Sequence, residues 1–261
     1  MVSRHVAAVQ RRSPNELALM ARAGEIAAAA LARALEAIEP GVSTSAIDRA
    51  AEETIREAGA VPSFLGFNGY PASTCISIND VVVHGIPSEH VRIEEGDIVG
   101  VDVGAIYKRY HGDNAATKAV GEAPAEALRL LQVTSECLAL AIEQAQAGNQ
   151  LRDISSAVQE HAEGAGYSVV RQLLGHGIGR QMHEPPQVPN YYSPGEFAEY
   201  ELTLRPGMVL AIEPMINVGG PAVKVDVDGW TTRTADGSLS AHFEHTVAVT
   251  KNGPRVLTPR S

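Results

Sequence analysis

Three acidic residues lie inside apolar, strand-like segments of this sequence and are the first candidates for chemistry. Asp102 lies in DIVGVDVGAIY, Glu213 in MVLAIEPM and Glu244 in AHFEHTVAV. A carboxylate buried in such a strand loses hydration and needs a cation or several hydrogen-bond donors. Each acid could pair with an arginine or lysine, but basic residues are scarce nearby, and Lys108 and Arg109 are the nearest to Asp102. A bound metal ion is the more economical hypothesis.

A fourth acid and three histidines extend this set. Asp113 follows a predicted turn in HGDNAAT, and taken alone it is typical of a loop acid. His176 is enclosed by glycines in GHGIG, His183 occurs seven residues later in MHEPP, and His84 follows a predicted strand in VVVHGIP. A lone histidine is usually a hydrogen-bonded core residue, but the glycines and prolines beside all three favour a functional role. The remaining histidines are interpreted as structural or surface residues: His5, His90, His111, His161, His242 and His245.

Four carboxylates and one imidazole form an oxygen-rich set of donors. Such a set suits Mn(II), Fe(II) or Co(II) better than a structural zinc site, which prefers thiolates and imidazoles. Bridging carboxylates can hold two metal ions about 3.5 Å apart, a geometry that activates water and stabilises developing negative charge. The sequence therefore favours a dinuclear metal site.

Two helix pairs and several groups of strands must position these residues. A capping box at Ser13-Pro14-Asn15-Glu16 marks the start of the first helix, and Pro40-Gly41 ends it. β-branched and apolar runs predict strands from Thr74 onwards. The predicted elements are helices at about 13–39 and 45–58, strands from 74, helices at 124–147 and 153–163, and short strands across 167–256.

A faint internal duplication relates the two halves of the chain. The spacing of glycines around the second helix, Gly41 to Gly59, recurs between Gly148 and Gly166. GDIVGVD and GMVLAIE each place an acid six residues after a glycine, and HGD resembles HFE. Chance is the alternative explanation. A real duplication predicts an α+β fold with pseudo-twofold symmetry, in which a site on the axis receives carboxylates from both halves.

Composition argues against several other classes of protein. The 261 residues are 44% hydrophobic and 20% charged, which is ordinary for a globular protein. Lys+Arg total 21 and Asp+Glu total 31, and the formal net charge of −10 argues against a nucleic-acid or anionic-membrane partner. Two cysteines give no disulfide framework. No apolar run is long enough to span a membrane, and the N-terminus lacks the apolar region of a secretory signal. We therefore expect a cytoplasmic protein.

The motifs together resemble those of type I methionine aminopeptidases of the short bacterial kind, in peptidase family M24. The matching segments occur in the family's order: NDVVVHGIP, DIVGVDVGA, HGDNA, GHGIGRQMHEPP, MVLAIEP, DGW and SLSAHFEHT. The resemblance implies the pita-bread fold, an α+β architecture with a pseudo-twofold axis and an antiparallel sheet that carries helices on its outer face. The expected organisation is a flexible N-terminal arm at 1–12 and a single catalytic domain at 13–261.

The resemblance also implies a reaction and a set of metal ligands. The reaction is removal of the N-terminal methionine from nascent proteins and peptides with a small second residue, by attack of a metal-bridging hydroxide. Asp102 would bind one metal ion alone, and Asp113 and Glu244 would bridge both. His176 and Glu213 would complete the sphere of the other ion, with Glu213 also serving as a proton shuttle. The implied cofactors are two divalent ions, of Co, Mn, Fe or Zn.

The same resemblance assigns residues to substrate binding. His84 and His183 would face the substrate, where they stabilise the tetrahedral intermediate and the leaving amide nitrogen. An apolar, narrow methionine pocket would be lined by Phe64, Phe67, Tyr70, Cys75, Met182 and Trp230. Met182 replaces an aromatic ring of several relatives, and Phe64 replaces a cysteine of some. The pocket is therefore expected to differ in shape from theirs.

The resemblance extends to a monovalent cation and to partners. Asn79, Val81 and Ser240 match positions whose backbone oxygens hold such a cation in some relatives. The expected partner is the N-terminal methionine of a nascent polypeptide, handled by a monomer without nucleic acid or membrane. A transient ribosome contact is left open.

Three other readings of the sequence are possible. Xaa-Pro aminopeptidases and prolidases of this fold usually carry an extra N-terminal domain, whereas only residues 1–12 precede the first predicted helix. Type II methionine aminopeptidases have a late helical insertion, for which the 30 positions from His183 to Glu213 are too few. A non-enzymatic binding protein on this fold typically lacks some metal ligands, whereas all five are present here.

Overall fold

The computed structural model describes residues 8–260. Its helices are α1 (Pro14–Glu36), α2 (Thr44–Glu57), α3 (Ala125–Gln144) and α4 (Leu151–Gly164). Its strands are β1 (Val61–Pro62), β2 (Thr74–Ile78), β3 (Val81–Val83), β4 (Ile98–Tyr107), β5 (Tyr110–Ala119), β6 (Ser168–Val169), β7 (Gly175–Gly177), β8 (Glu184–Val188), β9 (Val209–Ile212), β10 (Met215–Asn217), β11 (Val223–Val225), β12 (Thr232–Thr234), β13 (Ser240–His242), β14 (Glu244–Thr250) and β15 (Gly253–Val256). The four predicted helices are confirmed, with small differences at their ends.

The first helix begins at its predicted capping box. The backbone N–H of Ser13 donates to Oε2 of Glu16 at 2.9 Å, and the Ser13 hydroxyl accepts from the Glu16 backbone at 3.4 Å. The helix lies so close to β5 that a Cβ on Gly112 would lie 2.5 Å from the backbone nitrogen of Gly24. Glycine at position 112 therefore lets α1 lie directly on β5, whereas a Cβ on Gly24 would meet the carbonyl oxygen of Leu257.

An antiparallel sheet of nine strands forms the centre of the molecule. Its main order is β1-β4-β5-β14-β9-β7-β8, with β2 also paired to β4 and β15 to β14. Two three-stranded sheets accompany it, in the orders β13-β10-β6 and β11-β12-β3. Each half of the chain begins with a helix pair followed by strands, which is the element order that the duplication predicts.

The two faces of β4 have different roles. Val99, Val101 and Val103 are fully buried and share the main hydrophobic core with Ile26 and Leu31 of α1. These valines therefore face the core. Because successive residues of a strand point to opposite faces, Asp102 projects from the other side of the sheet.

The described part of the predicted arm contacts the rest of the protein. The backbone N–H of Arg12 donates to the carbonyl of Gly207 at 2.7 Å, and Val9 packs against the main core. Residues 1–7 of the arm lie outside the described residues, so the division into a flexible arm and one catalytic domain stays a prediction. None of the helices formed within residues 8–260 has the length and apolar character needed to cross a bilayer.

Candidate active site

Strand register brings three of the predicted acids together. Asp102 of β4 pairs with Ala115 of β5, and Ala115 also pairs with Glu244 at the start of β14. Asp113 precedes Ala115 by two residues along β5, and alternate residues of a strand share a face. The backbone ladder thus places all three carboxylates on one side of the sheet.

The interpretation of Asp113 as a loop acid is wrong. Its segment is part of β5, which pairs with β4 along its whole length. The turn before it is made by Lys108 and Arg109, with φ of +46° and +71°, rather than by glycine. The backbone N–H of Asp113 donates to the Thr246 hydroxyl at 2.9 Å, which ties β5 to β14 beside the site.

His176 and Glu213 reach the same face from β7 and β9. His176 pairs with Ala211, and Glu213 lies two residues beyond Ala211, directly after β9 ends. His176 Nε2 lies 3.5 Å from Glu213 Oε1. His176 Nδ1 lies 2.9 Å from the carbonyl of Gly177, which can only accept, so Nδ1 carries the proton and Nε2 offers its lone pair.

The donor set fits divalent metal ions. Asp113, His176 and Glu244 each offer a ligand atom within 4.8 Å of the others. Asp102 Oδ1 and Glu244 Oε1 are buried without a hydrogen-bond partner among residues 8–260. Within that range none of the four acids forms an ion pair with arginine or lysine, and the basic side chains closest to them are His176 and His242, which burial keeps neutral. Buried carboxylates without donors are costly, and a cation among them removes that cost.

The pKa of every acid in the cluster is raised. Burial raises the pKa of Asp113 to about 7. Burial, followed by repulsion from the neighbouring carboxylates, raises the pKa values of Asp102, Glu213 and Glu244 well above their ordinary range. A divalent cation reverses this effect because it stabilises the ionised carboxylates.

The two predicted substrate-facing histidines lie at the same cavity. The rings of His183 and His176 are 4.3 Å apart, centroid to centroid, and nearly perpendicular. Burial, followed by the charge of His183, lowers the pKa of His84 to about 4, and burial lowers the pKa of His183. Both imidazoles are therefore neutral near pH 7 and can exchange hydrogen bonds with a peptide.

The cavity has a volume of about 180 Å³ and an apolar end. Every predicted pocket residue lines it: Phe64, Phe67, Tyr70, Cys75, Met182 and Trp230. The Tyr70 and Trp230 rings meet edge to face, with centroids 5.1 Å apart. The Tyr70 hydroxyl donates to the carbonyls of Thr74 and Gly85 at 3.0 and 3.1 Å, so the polar end of the ring is satisfied away from the cavity.

The loop that carries His183 is fixed by a buried ion pair. Arg12, from the N-terminal segment, contacts the carboxylate of Glu184, and both side chains are largely buried. The other oxygen of Glu184 accepts from the backbone N–H groups of Arg180 and Gln181 at 2.8 and 3.1 Å. One carboxylate thus joins the turn of the loop to the segment that precedes α1.

Sequence reasoning missed two residues of the site. His242, interpreted as structural, places Nε2 3.9 Å from Glu213 Oε2 and 4.0 Å from Glu244 Oε2. Its position two residues before Glu244 was the available signal. Asn68 also lines the cavity, from a short 3-10 turn at Phe67–Gly69, and its φ of +48° leaves no sequence signal. Three of the remaining histidines form hydrogen bonds to side chains that do not line the cavity: His111, His161 and His245. His5 lies outside the described residues.

The residues predicted to hold a monovalent cation lie near a separate cavity. Asn79 and Val81 line a space of about 340 Å³. The carbonyl of Asn79 accepts from the backbone N–H of Ser240 at 2.9 Å, so these two residues are adjacent. The cation itself stays a prediction.

Comparison with known sequences identifies relatives along nearly the whole chain. The profile of metallopeptidase family M24 matches residues 18–251. A methionine aminopeptidase of Clostridium acetobutylicum is 49% identical over 247 residues, which cover 95% of this chain and 97% of that protein. The methionine aminopeptidase of Escherichia coli K12 is 44% identical over 254 residues, covering 97% of this chain and 95% of that protein.

Solved structures agree with these sequence matches. A methionine aminopeptidase from Thermotoga maritima superposes with a TM-score of 0.93 at 42% identity, covering 97% of this chain and 100% of that one. A prolidase from Pyrococcus furiosus gives 0.76 at 27% identity, and the match covers 96% of this chain but 66% of that one. The predicted pita-bread fold is therefore confirmed.

Proposed function

The chain belongs to metallopeptidase family M24, and from this premise we propose that it removes the N-terminal methionine from polypeptides whose second residue is small. It is a metal-dependent hydrolase. The observation that carries the proposal is a single cavity in which four acids and an imidazole adjoin an apolar pocket.

We assign the metal-holding role to five residues that line this cavity: Asp102, Asp113, His176, Glu213 and Glu244. The buried oxygens without partners and the free Nε2 of His176 support this assignment. When bound, divalent ions supply an acidified water molecule and polarise the scissile carbonyl. Oxygen-rich donors suit Mn, Fe or Co, and Zn accepts the same mixture of carboxylate and imidazole.

The apolar end of the cavity is the proposed site of the methionine side chain. Its aromatic and sulfur-bearing lining suits an unbranched thioether. An ionised carboxylate in the cavity can attract the positive charge of a free amino terminus. An acetylated terminus carries no such charge and is not attracted. Binding of the methionine side chain and of the free amino group together places the first peptide bond of the substrate beside the acids.

The two substrate-facing histidines are proposed to act on that peptide bond. His183 adjoins His176 at the open side of the cavity, where it can hold a proton for the leaving amide nitrogen. His84 faces the Trp230 ring at 6.4 Å between centroids, on the pocket side, where it can donate to the carbonyl oxygen. Their neutral state near pH 7 supports both roles.

The test is release of methionine from a Met-Ala-Ser peptide. Protein freed of metal by chelation is reconstituted with Mn, Fe or Co, and we expect release that depends on the added ion. An N-acetylated peptide is the matched control and should stay intact, and Met-Leu-Ser should be cleaved poorly. No release with any of these ions would favour a non-enzymatic binding protein instead.

The cellular setting belongs to the same proposal. We propose a cytoplasmic monomer that acts on nascent chains, with transient ribosome contact and without nucleic acid or membrane. The free, buried Cys75 and Cys137 and the net charge of −10 support this setting. A monovalent cation near Asn79, Val81 and Ser240 and a flexible arm at 1–12 are further parts of the proposal.

A further inference from the structure

Glu213 lies between two imidazoles, and only one of them has a role so far. Its Oε1 is 3.5 Å from His176 Nε2, and its Oε2 is 3.9 Å from His242 Nε2. The two oxygens of one carboxylate therefore face different histidines. His242 Nε2 also lies 4.0 Å from Oε2 of Glu244.

Backbone hydrogen bonds to Thr117 and burial of the side chain restrict the position of His242. The Thr117 hydroxyl accepts from the His242 backbone N–H at 3.1 Å and donates to its carbonyl at 2.8 Å. The residue is 5% exposed, and its Nε2 is buried without a hydrogen-bond partner among residues 8–260. An unpaired buried nitrogen of this kind is costly, so a partner is expected in the working enzyme.

The nitrogen that faces the acids is a hydrogen-bond donor. An imidazole carries a proton on at least one of its two nitrogens, and the atoms that face each nitrogen decide which one donates. The polar atoms opposite Nε2 are carboxylate oxygens, which only accept once bound cations keep these acids ionised. The proton is therefore more stable on Nε2 than on Nδ1.

We propose that His242 is a positioning residue for Glu213, because its Nε2–H holds Oε2 and thereby keeps Oε1 turned towards His176. A movement of about 1 Å brings Nε2 and Oε2 within hydrogen-bond distance. Carboxylates that bind metals are themselves hydrogen-bonded, and such partners fix their orientation. The inference rests on the proposed function, because the orientation of the Glu213 carboxylate matters only if Glu213 binds a metal ion.

Glu244 is the competing acceptor, and its surroundings favour Glu213 as the partner. The guanidinium of Arg260 hydrogen-bonds to the backbone carbonyl of Glu244 at 3.0 Å and leaves the carboxylate free. Glu244 begins β14 and is fixed by its pairing with Ala115. Glu213 lies beyond the end of β9, so its side chain has more need of a positioning contact.

Two substitutions separate hydrogen bonding from packing. His242→Gln keeps an N–H donor of similar reach, whereas His242→Met fills the space without a donor. Titration calorimetry of metal-free protein with Mn(II) or Co(II) measures affinity, and kcat and KM are measured with Met-Ala-Ser. We expect His242→Met to weaken metal affinity about 10- to 100-fold, and His242→Gln to retain most of the affinity and of kcat.

His245→Met is the matched control. It removes an imidazole whose Nδ1 bonds to the Thr258 hydroxyl at 2.9 Å, and the residue does not line the cavity. We expect its metal affinity to equal that of the wild type. Wild-type affinity in His242→Met would overturn the proposal, and so would an equal loss in His242→Met and His242→Gln.

A measurement on the unaltered chain covers the case in which His242→Met does not fold. In protein loaded with Zn(II), which is diamagnetic, NMR should detect a slowly exchanging, downfield imidazole proton that disappears in His242→Gln. Absence of that proton would overturn the proposal. Wild-type protein that neither binds metal nor releases methionine contradicts the proposed function, whereas active wild-type protein with an unaffected His242→Met contradicts this inference alone.

Discussion

Two parts of the cavity are held in different ways. The floor consists of the proposed metal-holding residues: Asp102, Asp113, His176, Glu213 and Glu244. The wall consists of five cavity residues that turns and loops carry: Phe64, Phe67, Met182, His183 and Trp230. The pocket residue Cys75 lies instead in β2, where it pairs with Asp102. The floor residues lie in strands or next to a strand end, where backbone pairing fixes them. The wall residues lie outside the strands, in turns and loops.

Hydrogen bonds and ion pairs between side chains fix the loop of the wall, whereas strand pairing in the sheet fixes the floor. The Tyr110 hydroxyl donates to Glu16 Oε1 at 2.8 Å and accepts from Arg180 Nε at 3.0 Å. The pair of Arg12 and Glu184 reinforces the same loop. The difference indicates that strand pairing positions the charged residues, whereas side-chain contacts position the loops of the wall. We therefore expect substitutions in the wall to change substrate recognition more than metal binding.

The floor should give the largest effect. Asp113→Asn is expected to abolish metal binding and methionine release, while metal-free protein at pH 8 becomes more stable by about 1–3 kcal/mol because a buried charge is removed. Elemental analysis and urea denaturation measure the two effects. Glu53→Gln, on the exposed side of α2, is the control and should change neither. Metal retained by Asp113→Asn would contradict the metal-holding role of Asp113, on which the comparison of floor and wall depends.

Loss of a catalytic wall residue should leave the floor intact. We expect His183→Ala to keep its full metal content and to lower kcat about 10²- to 10³-fold, because stabilisation of the reacting peptide is lost. Metal content by elemental analysis and kcat on Met-Ala-Ser test this expectation. If metal is lost together with turnover, His183 belongs to the floor and its assigned role is wrong.

A pocket substitution in the wall should act on selectivity. Met182→Ala enlarges the apolar end, so KM for Met-Ala-Ser should rise about 10-fold, as expected for lost apolar contacts, with a smaller change in kcat. Peptides that begin with methionine, norleucine and phenylalanine, compared by kcat/KM, show whether the enlarged pocket accepts a bulkier residue. An unchanged order of preference would exclude Met182 from the pocket.

The smallest effect should come from the side-chain hydrogen bonds that connect α1 to the loop of the wall, in which Glu16 takes part. The Ser13 backbone N–H, the Tyr110 hydroxyl and the Ser13 hydroxyl lower the pKa of Glu16 from 4.5 to about 2. Ionised Glu16 therefore makes its full contribution to the stability of the folded protein above pH 4.5, and this contribution is lost as the pH falls towards 2.

Urea denaturation of Glu16→Gln tests this pH dependence. The variant should be about 1 kcal/mol less stable than the wild type at pH 7, as for a lost helix cap. The gap should narrow steadily below pH 4.5. Glu25→Gln, which removes an exposed ion pair with Arg22, is the control. A gap that stays constant down to pH 3 would contradict the assigned hydrogen bonds.

The floor could be predicted from the sequence better than the wall. Acids that interrupt apolar strands are conspicuous because burial of an unpaired charge is so unfavourable. Asp113 was the exception, since the turn before it was expected but the small and polar residues of HGDNAAT contain no apolar run that would mark them as a strand. The apolar wall residues are ordinary core types that only the resemblance to a family singled out, whereas the prolines after His183 had already marked that residue.

Contacts between distant side chains left no signal at all. Arg12 and Glu184 are 172 positions apart, and neither belongs to a periodic pattern that would reveal the pair. His242 lies beside the acids through the end of β13, and that alignment depends on strand pairing that a single sequence does not specify. Such contacts become visible when the backbone is known.

Ala115 shows how an unreactive residue can limit what a site accommodates. It pairs with both Asp102 and Glu244, so its methyl group lies between two carboxylates. A branched side chain at that position would extend into the space between them. The small side chain at position 115 therefore preserves the space above the sheet between Asp102 and Glu244.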